Sequence, residues 1–111
     1  MPLTRYPPVP FTEIAEMAAA RADEIVPRWL PNGKRMNHEW VACNPTRADN
    51  NPGSFSICVY GDRAGRWADF AVNDSGGDLI SLYKYLFGGR MVDAARIVAG
   101  MVGHEFAGYR G

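Results

Sequence analysis

No stretch of this chain approaches the ~20 consecutive apolar residues that cross a bilayer as a helix, and no basic segment followed by an apolar run opens it. Cysteine is also scarce. Cys43 and Cys58 are the only two, too few for a disulfide framework. These absences lead us to expect a cytoplasmic protein with reduced thiols and no membrane association. An excess charge of one sign is missing too: 12 basic residues balance 12 acidic ones, so composition alone does not mark a nucleic-acid binder. The segments "GDRAGR" and "GGRMVDAAR" both miss the Gly-x-x-x-x-Gly-Lys-Ser/Thr phosphate loop. No ordered Ser, His and Asp spacing suggests a triad, so an autonomous enzyme is not expected.

What the chain does have is enough apolar material for one domain. Its 111 residues are 47% hydrophobic, and a chain of this size can build a core without disulfides or metal. Residues 1–11, with Pro2, Pro7, Pro8 and Pro10, read as a flexible arm. A single domain is expected over 12–103, followed by a tail over 104–111. Thr12 offers an N-cap, and Ile14, Met17, Ala18, Ala22 and Ile25 follow helical spacing, interrupted by Arg21. Pro27 should stop that helix near Ile25.

Asn32-Gly33 marks a tight turn. Glu39 to Cys43, Ser54 to Tyr60 and Arg66 to Ala71 then read as three strands. In the second of these, Phe55, Ile57 and Val59 alternate with Ser56, Cys58 and Tyr60. Gly61 to Gly65 forms a hairpin loop. Leu79, Leu82, Tyr83 and Leu86 describe an amphipathic helix that Gly88 or Gly89 would end, and Met91, Ala94, Ala95, Val98 and Met101 describe another. The expected fold is α+β: one N-terminal helix, a three-stranded antiparallel meander and two C-terminal helices.

The segment "DSGGD" joins the last strand to the first of those closing helices. Gly76 and Gly77 permit backbone conformations and close approaches that other residues do not. Asp78 can cap the helix that follows and complement its dipole. Strand-to-helix turns use Gly and Asp for such structural reasons alone, and on chemistry that plain reading is the favoured one.

The pieces "EWVACNP", "NPGSFSICV", "GRWADFA", "SGGDLISLYKYL" and "DAARIVAG", taken in this order, resemble the N-terminal zinc-ribbon domain of bacterial and phage DNA primases. The divergent versions at the start of primase-helicases are the nearest in kind. The likeness runs over about residues 12–102. It breaks where the family holds zinc. The four ligand positions fall on Asn44, Arg47, Phe70 and Asn73, none of them a thiolate or imidazole, although structural zinc takes four such ligands. Cys43, Cys58, His38 and His104 lie elsewhere. The sequence is therefore expected to form a degenerate, zinc-ribbon-like fold without metal or other cofactor. Trp40, Phe55, Trp67 and Phe70 are candidate core anchors.

The resemblance implies a DNA-replication accessory domain that engages a single-stranded DNA template for a primase or primase-helicase. Residue chemistry supplies the parts for such binding, a basic groove and stacking rings. Arg28, Lys34, Arg35, Arg47, Arg63 and Arg66 face only Glu39, Asp49 and Asp62 across the middle of the chain. Lys34, Arg35, Arg47, Arg63 and Arg66 are the candidate phosphate contacts. Trp67 is the candidate base-stacking ring, with core packing as its alternative use, and Trp29 and Tyr60 are further rings. The other reading is a protein-interaction module that docks on a helicase, primase or polymerase with no direct DNA contact.

Overall fold

The computed structural model describes residues 9–43 and 54–104. Helix α1 (Phe11–Ala19) and helix α2 (Ala22–Trp29) precede strands β1 (Lys34–Met36), β2 (Glu39–Ala42), β3 (Phe55–Cys58), β4 (Trp67–Asp69) and β5 (Asp74–Gly76). Helices α3 (Leu79–Phe87) and α4 (Met91–Val102) close the fold. The strands form one antiparallel sheet in the order β1-β2-β3-β4-β5. The architecture is α+β with four helices and five strands among the described residues, and it corrects the expected single N-terminal helix and three-stranded meander.

The N-terminal correction turns on Arg21. The helix that should run to Ile25 breaks at Ala20 and Arg21, where Arg21 leaves helical geometry with φ −122° and ψ 22°. Its guanidinium then donates to the Met101 carbonyl near the end of α4, at 3.2 Å, and to Glu24 at 3.1 Å. The charged residue that interrupts the apolar stripe is thus the hinge between two short helices. Pro27 lies inside α2 and does not end it. A mid-helix proline loses one hydrogen bond at a cost of about 3 kcal/mol, here offset by burial of Ile25, Val26 and Leu30 around it. Thr12 is not the cap. Helix α1 starts earlier, with Pro10 at the N-cap position and no side-chain cap.

The two unexpected strands lie at the sheet edges. All three residues of β1 are exposed, so Lys34-Arg35-Met36 shows no apolar alternation from which a strand could be read. It pairs with β2 through a hairpin that turns at Asn37, whose φ of 56° is left-handed. Strand β5 consists of Asp, Ser and Gly, residues that strands disfavour. It forms because the chain doubles back at Asn73, φ 58°, and sets Gly76 opposite Trp67.

Successive strand residues face opposite sides of a sheet. The register puts Ala42, Phe55, Ile57 and Trp67 on the inner face, where they join one core with Ile14, Ala18, Leu79, Leu82, Ala95 and Val98 from the helices. Asp69 is buried on that face too, its carboxylate accepting from the Tyr85 hydroxyl at 2.8 Å and from the Ala71 N–H at 3.2 Å. A buried carboxylate without such donors would cost several kcal/mol.

The strand-to-helix connection depends on Gly76. A Cβ there would stand 2.5 Å from Trp67 Nε1 and 2.6 Å from Ser81 Oγ. Those two atoms meet beneath the glycine: Trp67 Nε1 donates to Ser81 Oγ at 3.0 Å, and Ser81 Oγ donates to the Asp78 carbonyl at 2.9 Å. Gly77, by contrast, has open space around it. The close approach lies one residue earlier, inside the strand. Asp78 is the N-cap of α3 and accepts from the Ser81 N–H at 2.7 Å. Replacing it by Ala should lower stability by about 0.5–2 kcal/mol in chemical denaturation, the usual worth of such a cap. Asp78→Ser, which keeps an acceptor, should recover most of the loss.

Candidate nucleic-acid interface

The helices pack on one face of the sheet, and among the described residues no helix covers the other. On that outer face the register places Lys34 and Met36 of β1, Glu39 and Val41 of β2, Ser56 and Cys58 of β3, and Ala68 of β4. Arg66 and Phe70 flank Ala68 in the same phase. Arg63, in the β3–β4 loop, leans toward the same side. A shallow groove of about 170 Å³ runs between them, lined by Glu39, Ser56, Cys58, Arg63, Arg66 and Phe70 together with Trp67 and Ala68.

The electrostatics of the groove are mixed. Arg63 and Arg66 are exposed and make no salt bridge among the described residues. Glu39 is half-buried and accepts a hydrogen bond from the Ser56 hydroxyl. The Cys58 thiol donates to the Tyr60 carbonyl at 3.2 Å. Far from this face, Arg90 hydrogen-bonds Asp93 at the start of α4 and thereby holds its carboxyl below the ordinary value.

The structure divides the candidate residues. It brings Arg63 and Arg66 together and sets Lys34 on the same side of the sheet. Arg35 falls on the opposite side of β1 and donates back to the Asn37 carbonyl. Arg47 and Asn44 lie outside the described residues. Trp67 is 6% exposed and faces the core, edge-on to Phe55 with ring centroids 6.1 Å apart. It cannot stack a base. Phe70, expected in the core, is 68% exposed instead. Counting alternation onward from Trp67, Phe70 falls on the outer side, and that phase difference is the sequence signal that locates it. Trp29 is occupied with Tyr83 and Phe87, and the exposed Tyr60 ring lies beside His38.

The expected zinc positions carry no ligand set either. Phe70 is an exposed ring and Asn73 a left-handed turn residue. Among the described residues no group of three His, Cys, Asp or Glu side chains could hold a metal ion. No helix among them is long and apolar enough to cross a membrane.

Neither a protein-family model nor a curated protein sequence matches the chain.

Proposed function

We propose that the outer face of the sheet binds single-stranded DNA, as a non-catalytic accessory domain in DNA replication that serves a primase or primase-helicase in the cytoplasm without bound zinc. One observation carries this reading. Two arginines with no ion-pair partner among the described residues stand beside an exposed phenylalanine, across a groove on the open side of an antiparallel sheet. Single strands are held by cations that follow the phosphates and by aromatic rings that stack bases. Arg63 and Arg66 supply the first, with Lys34 extending the positive charge toward the β1 edge. Phe70 supplies the second, in place of the buried Trp67. The order of sequence pieces that resembles the primase zinc-ribbon domain is the reason for choosing a replication template over other single strands.

Replacing Arg63 and Arg66 together by Ala should weaken binding of a fluorescent oligothymidylate. It should also flatten the plot of log affinity against log salt, by ~0.7 for each phosphate that is no longer neutralised. Phe70→Ala should cost about 1–3 kcal/mol of binding, the range for one stacked base. Unchanged affinity in both variants would remove the groove from the interface.

A second reading is favoured by a different observation. Phe87, Met91 and Ile97 are large apolar side chains exposed on α3 and α4, away from the groove. A module that docks on a helicase, primase or polymerase through those helices would show no salt-dependent affinity for single strands. The same titration separates the two.

A further inference from the structure

We propose that the groove reads one base of the strand and that the base is guanine, with Glu39 as the specificity-determining residue. This rests on the single-strand reading above and adds to it a base contact that phosphate binding does not require.

A carboxylate in the same groove as phosphate-binding cations is unfavourable for backbone binding, because it repels the ligand. Here Glu39 shares the groove with Arg63 and Arg66, yet forms no salt bridge with either among the described residues. The opposite charges thus line one groove without closing on each other. Ser56 fixes the carboxylate by donating to Oε1. That uses one of about four acceptor positions on an ionised carboxylate and leaves the others for a ligand. The groove, at about 170 Å³, is smaller than the ~300–1,000 Å³ of pockets that take drug-sized molecules. It suits one planar ring system lying against Phe70.

Single-stranded bases are read on their hydrogen-bonding edges while their faces stack. Guanine alone presents two adjacent N–H donors, N1–H and the N2 amine, to a carboxylate. It also offers O6 and N7 as acceptors for a guanidinium. Cytosine and adenine each pair an amine with a ring-nitrogen acceptor along the same edge, and that acceptor faces a carboxylate unfavourably. Thymine sets its one N–H between two carbonyls. A fixed carboxylate facing arginines that it does not pair with therefore matches guanine best.

The test is a fluorescence-anisotropy titration at low salt with four short oligothymidylates that carry a central dG, dC, dA or dT. The dG probe should bind the unaltered protein about 5- to 150-fold more tightly than the dT probe, the worth of one good bidentate base contact. In Glu39→Gln, with fold checked by circular dichroism, the preference should fall to within about twofold, because one carboxylate oxygen is replaced by an NH2 donor that opposes a guanine donor. Equal affinity for all four probes overturns the guanine assignment and leaves single-strand binding standing. A dG preference that survives Glu39→Gln overturns the role of Glu39. If no probe binds, the single-strand reading and this inference fall together.

Discussion

Gly76→Ala should destabilise the protein by about 2–4 kcal/mol, whereas Gly77→Ala one residue later should change stability by no more than about 0.5 kcal/mol. The reason is local. The new methyl at position 76 would fall 2.5 Å from Trp67 Nε1 and 2.6 Å from Ser81 Oγ, inside any tolerable approach. Overpacking of this kind costs about 1–3 kcal/mol. The indole cannot retreat without breaking its 3.0 Å hydrogen bond to Ser81, and leaving that buried N–H unsatisfied costs a further ~1–3 kcal/mol. Gly77 has neither a crowded neighbourhood nor a left-handed backbone, so a methyl there meets only open space. Urea denaturation of the two variants reads the difference directly. A Gly77→Ala loss larger than that of Gly76→Ala would contradict the packing described here.

The second large effect is at Phe55. Phe55→Ala should cost about 3–5 kcal/mol, the range for truncating a fully buried aromatic. Its ring has no solvent exposure and touches two others, edge-on to Trp67 at 6.1 Å and tilted to Tyr85 at 6.0 Å. Tyr85 in turn hydrogen-bonds the buried Asp69 side chain, so loosening this cluster also threatens a polar group shielded from water. For a domain whose total stability is of the order of 5–15 kcal/mol, that is a large share of the whole, and the melting temperature should fall by many degrees. Phe70→Ala, by contrast, removes an exposed ring and should leave stability within about 0.5 kcal/mol. Thermal denaturation of the pair distinguishes the two faces of the sheet. Comparable destabilisation would place Phe70 in the core.

In β3 and α3 the structure follows the period that the sequence carried. Leu79, Leu82 and Leu86 form the buried side of α3, and Phe55, Ile57 and Val59 the buried side of the chain through β3. Edges carried no such signal. Strands β1 and β5 are held by pairing with their neighbours, and a strand with no buried side has no alternation to show. Pro27 misled for a related reason: local preference set a stop, and tertiary burial of α2 overrode it. In the groove, the arginines could be found by composition but their grouping could not. Arg35 and Arg66 look alike in sequence, and only the register separates them to opposite sides of the sheet. Glu39 and Ser56 lie on neighbouring strands, seventeen positions apart, and no motif links them.

Whether single-stranded DNA lies on the open face of the sheet, across Arg63, Arg66 and Phe70, is read most plainly by amide chemical-shift mapping. Titrating isotope-labelled protein with a short oligonucleotide should shift the backbone signals of Ser56, Arg63, Arg66, Ala68 and Phe70 progressively, and the shifts should recede as salt is raised. Signals from α3 and α4, including Phe87, Met91 and Ile97, should stay in place. Shifts confined to those helices, or none at all at low salt, would contradict binding at this face.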